Sequence, residues 1–184
     1  MLNVSKCLPA IMVLSLSAAL SSRTSAQTLD QQRRPAGLDS TLARLYRTFS
    51  FEKGRAPDWA AMRSLFLDGA TIVDPVRDGT VPHAISVESF IGNFRDDVQR
   101  APKFREGFGE RILVTRVDNF GHVAHAFVTF EGFVPGKHSA ESRGVDSIQL
   151  ILVDGIWKIA SFTTQYEKKE LPLPGRFLRA ASGE

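Results

Sequence analysis

A carboxylate that directly follows an apolar, β-branched run is the residue of this sequence best placed for chemistry. The run Ala70–Val73 predicts a short strand, and Asp74 follows it. Pro75 cannot donate a hydrogen bond to a sheet and favours extended geometry in the residue before it, so we expect the strand to end with Asp74 at its edge. Burial of a carboxyl group raises its pKa and suits it to carry protons. Asp-Pro pairs also start turns, and these residues alone leave both interpretations open.

Two uncharged polar side chains are further candidates for a site. Tyr46 falls on the apolar face of a predicted helix, where it is either a donor in a pocket or a packed aromatic residue. Gln149 interrupts the apolar run Ile148–Val153 of a predicted strand. A buried amide needs hydrogen-bond partners, which a polar pocket would supply. The alternative is a register in which Gln149 faces outward.

The histidines argue against a metal centre. His122 and His125 are three residues apart on a predicted strand, so they lie on opposite faces and cannot share an ion. His125 would share a face with Phe127, either as an acid or base in the pocket or as a hydrogen-bonded core residue. We therefore predict no metal site.

The amino-terminal residues 1–26 resemble a secretory signal. Lys6 precedes the apolar run Ala10–Leu20, which is too short to span a bilayer, and small residues lead to a cleavage site after Ala26. We therefore expect a secreted or periplasmic protein with no membrane span after cleavage. The single cysteine, Cys7, would leave with the signal, so the mature chain would hold no disulfide and no thiol nucleophile.

Length and charge limit the classes of function. The chain has 184 residues and a formal net charge of +3, which falls to +1 without Lys6 and Arg23. So small a charge offers little electrostatic attraction to nucleic acid, and we expect no nucleic-acid partner. We expect a flexible lead-in over residues 27–37, one domain over 38–168 and a mobile carboxyl-terminal tail over 169–184.

The order of predicted elements indicates an α+β fold. Apolar residues at helical spacing predict a first helix at about 40–52, capped by Asp39 or Ser40. Asp58 is expected to cap a second helix that includes Phe66 and ends at Gly69. Ser86 is expected to cap a third helix. Residues 104–166 then predict four long strands. We expect a cone-shaped fold, in which three amino-terminal helices pack on the concave face of a strongly curved, mainly antiparallel sheet.

Such a sheet leaves an apolar pocket under its helices, where we expect a small apolar molecule to bind. Because Lys158 should face water, alternation along its strand places Trp157, Ile159, Ser161 and Thr163 inward. The residues expected to line the pocket are Trp59, His125, Phe127, Trp157 and Ser161.

The order of these elements over about Leu38 to Tyr166 resembles the nuclear transport factor 2-like superfamily. The segment 70–76, Ala-Thr-Ile-Val-Asp-Pro-Val, is similar to the one that carries the catalytic aspartate of the ketosteroid isomerases. The segment 154–159, Asp-Gly-Ile-Trp-Lys-Ile, is similar to the last hairpin of many bacterial members. The superfamily also contains polyketide cyclases, epoxide hydrolases, dehydratases and proteins that only bind ligands or partners, so the resemblance implies a fold more than an activity.

The isomerase site can be transferred to this sequence residue by residue. The resemblance implies that Asp74 matches the base that shuttles the proton and that Tyr46 matches the tyrosine that binds the oxyanion. The second oxyanion donor, an aspartate in the isomerases, falls on Gln149, whose amide can donate without any change in pKa. These three catalytic candidates require no cofactor.

Self-association is the last expectation from the sequence. The residues Ala124, Ala126, Val128 and Phe130 alternate along one predicted strand, and we assign them to the outer face of the sheet. A sheet face this apolar is unfavourable when it is fully exposed to solvent, so we expect a homodimer to cover it.

Overall fold

The structure is a computed structural model, and it describes residues 35–73, 81–137 and 139–179. The predicted signal, most of the lead-in and the last five residues lie outside the described residues. Asp74 and Pro75 also lie outside them.

Three helices are present in the described parts of the chain, as predicted. They are α1 (Leu38–Thr48), α2 (Trp59–Ser64) and α3 (Val87–Arg100). The Asp58 carboxylate accepts a hydrogen bond from the Ala61 amide at 2.9 Å, and the Ser86 hydroxyl accepts one from the Ser89 amide at 3.1 Å, so both predicted caps are confirmed.

Two helix boundaries differ from the sequence prediction. The first helix begins directly after Gly37, which is in the left-handed region at φ 83° and provides no side-chain cap, so neither Asp39 nor Ser40 caps it. The second helix ends at Ser64, and Phe66 already belongs to a strand. Gly69 (φ 76°) therefore lies inside an irregular strand and does not end the helix.

Seven strands form one sheet within the described residues. Their bounds are β1 (Phe51–Glu52), β2 (Phe66–Val73), β3 (Ala84–Ser86), β4 (Gly107–Phe120), β5 (Val123–Phe133), β6 (Ala140–Val153) and β7 (Ile156–Tyr166). The order across the sheet is β1-β4-β5-β6-β7-β2-β3, and every pair is antiparallel except the parallel pair β2 and β7. The sheet is a mixed, mostly antiparallel one, and the expected α+β arrangement is confirmed.

The core lies between the helices and the inner face of the sheet, and it reverses the predicted orientation of β5. Ala124, Ala126, Val128 and Phe130 are buried in the same cluster as the leucines of α1, so their assignment to the outer face is wrong. The small alanines of a central strand leave room for the large side chains of α1. By alternation, His125 and Phe127 lie on the outer face.

A bulge in β7 changes the face of its second half. Leu150 pairs with Ile159, whereas the preceding Gln149 pairs with Ser161, so Ala160 is an extra residue on β7. Trp157 and Ile159 face inward as predicted, but after the bulge Phe162 and Thr164 face inward instead of Ser161 and Thr163. The predicted inward orientation of Ser161 and Thr163 is therefore wrong.

The carboxyl-terminal segment crosses the outer face of the sheet. The Thr129 hydroxyl donates to the Phe177 carbonyl at 2.6 Å, and the Phe127 and Phe177 rings lie 5.5 Å apart. The Leu173 amide donates to the Glu167 carboxylate at 2.9 Å. These contacts define the path of residues 168–179, and the mobility expected for 169–184 stays a prediction.

Candidate functional site

A buried aspartate with two hydroxyl donors forms the polar centre of the inner face. The Tyr46 hydroxyl, from α1, donates a short hydrogen bond to Oδ2 of Asp146 on β6. The Thr164 hydroxyl, from β7, donates to Oδ1 of Asp146 at 2.7 Å. Asp146 is 1% exposed and Tyr46 is 3% exposed. Three elements distant in sequence thus meet at one carboxyl group.

A second acid, Glu110 on β4, faces the same interior. Its strand partner is Gly132, and Ile112, two residues further along the strand, packs against the core on the same face. Glu110 keeps some exposed surface, although protein atoms surround its carboxyl group densely. Within residues 35–73, 81–137 and 139–179, no side chain forms a hydrogen bond or an ion pair with this carboxyl group.

Ser50 joins the end of α1 to the strand that carries Glu110. Its hydroxyl donates to the Tyr46 carbonyl at 3.0 Å and accepts from the Glu110 amide at 3.0 Å. One side chain therefore fixes the backbone of Tyr46 relative to the backbone of Glu110, and positions both residues towards Asp146.

Burial dominates the electrostatics of this group. It raises the pKa of Asp146 to about 7, although the hydrogen bonds from Tyr46 and Thr164 act in the opposite direction. Burial, followed by the charge of Asp146, raises the pKa of Glu110 well above its usual range. Burial and the neighbouring Asp146 also raise the pKa of Tyr46. Asp146 therefore ionises first, and its charge then opposes the ionisation of Glu110.

Aromatic rings surround these polar groups. The Phe130 ring lies 6.2 Å from the Tyr46 ring and 5.9 Å from the Tyr166 ring, measured between centroids. Phe49 meets the Tyr46 ring edge-on at 6.4 Å. The interior beside the two acids is therefore apolar and aromatic, which strengthens electrostatic interactions within it.

Solved structures with the same architecture identify the fold. A protein from Nostoc punctiforme, described as having a cystatin-like fold, matches at 12% identity and a TM-score of 0.57, over 79% of this chain and 96% of its own. An NTF2-like protein from Shewanella baltica matches at 17% identity and a TM-score of 0.51, over 77% of this chain and 97% of its own. The chain has the NTF2-like fold.

Sequence comparison adds no closer relative. No family model matches the chain, and no curated protein matches it significantly. Among the NTF2-like structures, one from Parabacteroides distasonis is provisionally described as a ketosteroid isomerase. It matches at 14% identity and a TM-score of 0.51, over 72% of this chain and 87% of its own. At this identity the likeness concerns the fold alone.

Of the three predicted catalytic residues, the structure places Tyr46 in the polar group and Gln149 away from it. Gln149 pairs with His125 and Ser161 on the outer face of the NTF2-like sheet. Tyr46 and Gln149 therefore lie on opposite faces of the sheet and do not converge. Asp74 is outside the described residues, so its role stays a prediction.

The five predicted pocket residues divide between the two faces. Trp157 is buried in the core, and no group in the described parts of the chain accepts a hydrogen bond from its indole nitrogen. The Trp59 ring, on α2, packs edge-on against the Phe94 ring at 5.6 Å between centroids. His125, Phe127 and Ser161 lie on the outer face. There the His125 ring nitrogen Nε2 lies 2.9 Å from the Ser147 hydroxyl oxygen.

The sequence interpretation missed Asp146 and Glu110, the two acids of the site. The signal for Asp146 was present in the alternation of β6, because Ile148 and Leu150 share its parity and lie buried. Glu110 has the same relation to Ile112. A carboxyl group in register with buried aliphatic residues indicates a polar group in the core.

No metal site or membrane span is apparent in the described residues. No group of three or more acidic, histidine or cysteine side chains in them is arranged to hold a metal ion. None of their helices combines the length and the apolar character needed to cross a bilayer.

Proposed function

We propose that the chain is an exported NTF2-like domain that binds a small molecule on the concave side of its sheet, in contact with Glu110. The observation that supports this most directly is the Glu110 carboxyl group on the inner face, which keeps some exposed surface and for which the described residues provide no hydrogen-bond partner. A carboxyl group without a protein partner is free to bind a polar group of a ligand.

The two acids have different roles in this proposal. Both oxygens of Asp146 already accept hydrogen bonds, so Asp146 organises the site from within the core. Glu110 retains some exposed surface and is therefore the acid that a ligand can reach first. Tyr46 and Phe130 are themselves buried, whereas the Tyr166 ring, which packs against Phe130, keeps some exposed surface that a small organic molecule would cover.

Ligand capture followed by substitution tests the binding role. We expect native mass spectrometry of the mature protein, purified from the cell that expresses it, to show a bound small molecule that denaturation releases. Glu110→Ala should lose it, whereas Asp118→Ala, on the exposed outer face, should retain it. If no ligand is carried, and an NMR screen of aromatic fragments shifts no signal of Tyr46 or Glu110, the binding role is wrong.

Cofactor-independent proton transfer is the second candidate function, in the isomerase, cyclase or dehydratase class. It is favoured by Asp146, whose pKa of about 7 allows a carboxyl group to exchange protons at neutral pH. Protonated Glu110 would donate to an oxyanion, and Asp74 would act as the base that the resemblance implies.

Deuterium exchange in substrate analogues tests the catalytic candidate. In D₂O, we expect the protein to exchange the protons next to the carbonyl of cyclic and aryl ketones. Asp74→Asn should slow this exchange by roughly a hundredfold to ten-thousandfold, because a positioned base contributes about that much. If exchange is no faster than in buffer, the catalytic candidate is wrong and the binding role stands alone.

Export and self-association complete the proposal. A mature amino terminus at Gln27 on protein isolated from the expressing cell would support export, and an intact Met1 would contradict it. A homodimer stays a prediction, although the four β5 residues that suggested it are in the core. Sedimentation at micromolar concentration distinguishes a dimer from a monomer.

A further inference from the structure

We infer that the chain dimerises through one end of the outer sheet face, where the β4–β5 hairpin of one copy packs against the β6–β7 hairpin of the other. This inference rests on the self-association in the proposed function and names the surface that carries it. It is independent of the binding role of Glu110, which lies on the inner face.

Five apolar side chains lie together at this end of the outer face, and we name them the hairpin patch. They are Phe120, Val123, Ile151, Val153 and Ile156. The first three form one row across β4, β5 and β6, and the last two pair with each other beside the β6–β7 turn. By alternation with the buried residues of their strands, they face outward.

The hairpin patch is strongly exposed. Phe120 is 87% exposed and Ile156 is 53% exposed. Together the five side chains present roughly 400 Å² of apolar surface, and a contiguous patch of this size on a monomer often marks an interaction site. Removal of this surface from water in a dimer would be favourable.

The carboxyl-terminal segment covers the neighbouring part of the same face. The Thr129 hydroxyl donates to the Phe177 carbonyl at 2.6 Å, and the Arg116 guanidinium donates to the Arg176 carbonyl at 3.3 Å. With this segment in place, two copies cannot pair their sheets over the full length of the strands. The hairpin patch lies beyond the segment and is accessible to a second copy.

The pattern of the hairpin patch is complementary to itself. Val123 and Ile151 are direct neighbours on β5 and β6. A twofold axis that runs along the strands between them places Val123 of each copy on Ile151 of the other. The same axis places Phe120 of one copy against Lys158 of the other, because these two residues end the same row. A closed dimer requires a self-complementary surface of this kind.

The charges at the rim also favour a second copy as the partner. Asp154 lies in the β6–β7 turn and Lys158 follows on β7, and neither forms an ion pair within the described part of the chain. The Lys158 ammonium donates to the Ser64 carbonyl at 2.6 Å, which leaves its charge unneutralised. A rim with both signs of charge does not suit nucleic acid or an anionic lipid surface, which attract one sign only.

The size of the hairpin patch predicts a weak dimer. Standard interfaces bury about 800 Å² on each partner, roughly twice the apolar surface available here. We therefore expect a dissociation constant in the micromolar range.

Sedimentation equilibrium of the mature protein at concentrations up to about 100 µM tests the assigned surface. We expect Phe120→Asp to weaken dimerisation at least about tenfold, because the new carboxylate would be desolvated at an apolar contact. Val81→Asp is the control, since it also places an acid at a strongly exposed apolar residue, but in the loop before β3. It should dimerise as the wild type does.

A mixing experiment tests the twofold arrangement. Val123→Asp and Ile151→Lys should each weaken the homodimer, because each brings a charge to an apolar contact. Their equimolar mixture should form a heterodimer in native mass spectrometry, since the two new charges face each other. A mixture that associates no better than either variant alone would contradict the contact between β5 and β6 of the two copies.

The outcomes separate this inference from the proposals on which it rests. An unchanged dissociation constant for Phe120→Asp would overturn the inference and leave self-association through another surface standing. A wild type that is monomeric at every concentration would contradict both. Ligand binding at Glu110 should be the same in Phe120→Asp and in the wild type, so a failure of the binding role is detected separately.

Discussion

Acids on the inner and outer faces of the sheet have pKa values that are shifted in opposite directions. On β4, Glu110 faces the core and has a raised pKa, whereas the next residue, Arg111, faces outward and pairs with Glu131. On the same outer face, Arg143 donates to Glu167 at 2.6 Å, and this bond lowers the pKa of Glu167. Glu131 and Glu167 on the outer side each have an arginine partner, whereas Glu110 and Asp146 on the inner side have none among the described residues.

The difference shows that burial and ion pairing act separately on the pKa of an acid. Glu167 gains the Arg143 cation, and this outweighs the solvation that it loses, so its charged form is favoured. An inner acid loses solvation and gains only hydroxyl donors, so its neutral form is favoured. We therefore expect the inner acids to respond to pH, and the outer acids to respond to salt.

The largest expected effect is a fall in stability as the pH rises. The native pKa of Asp146 is about 7 and its usual value is 3.8, so between these values the folded state holds more protons than the unfolded state. Stability should therefore decrease from about pH 4 to about pH 7, by up to about 4 kcal/mol. Glu110 adds a change of the same sign.

Urea denaturation at a series of pH values measures this slope. Asp146→Asn should flatten it, because the variant cannot ionise there. A wild-type stability that rises from pH 5 to pH 8 would contradict the assignment of the inner acids.

Removal of the Asp146 carboxyl group should be the next largest effect. At pH 5, Asp146→Ala should cost about 2–3 kcal/mol, because the Tyr46 and Thr164 hydroxyls lose their buried acceptor. The cost should be smaller at pH 8, where the wild type must bury a charge. Asp118→Ala, on the exposed outer face, should change the free energy of unfolding by less than about 0.5 kcal/mol.

A smaller effect is expected from Tyr46→Phe, which removes a single donor. The loss should be about 1–3 kcal/mol at pH 8, where Asp146 is ionised. It should also raise the pKa of Asp146 further, since the Tyr46 hydrogen bond lowers that pKa. Thr41→Val is the matched control, because the Thr41 hydroxyl makes only a long bond of 3.4 Å to the Trp157 carbonyl. Equal effects of the two substitutions in chemical denaturation would show that Tyr46 is only a packed ring.

The smallest effect is expected on the outer face. Arg143→Gln breaks a partly exposed ion pair with Glu167, so it should cost about 1 kcal/mol, and less in 1 M salt. Thermal denaturation at low and high salt provides the comparison. A loss as large as that of Asp146→Ala would remove the contrast between the two faces.

The helices and the sheet could be predicted because their signals are local. Asp58 and Ser86 cap their helices through bonds within three residues, and alternating apolar residues define the long strands. Alternation alone assigns Ser161 and the four inward β5 residues to the wrong face and leaves the face of Gln149 open, because the face depends on register. The bulge at Ala160 reverses it within one strand, and no local pattern marks that bulge.

The candidate site was only partly predictable. Tyr46 was found because a tyrosine on an apolar helix face is visible in the sequence. Asp146 and Thr164 meet it through pairing of β6 with β7 and packing under α1, which join residues about a hundred positions apart. Asp74 is visible in the sequence because it follows an apolar run, whereas an acid within a strand shows its role only once the face of that strand is known.

The most direct test of the account is a ¹³C NMR titration of the carboxyl carbons of the mature protein. We predict that the Asp146 signal titrates with a midpoint near pH 7 and that the Glu110 signal titrates above its usual range. The Glu167 signal, from the outer face, should titrate below its usual range. An Asp146 midpoint near the ordinary value of 3.8 would contradict the central claim. That claim is that burial without a neighbouring cation raises the pKa of the inner acids.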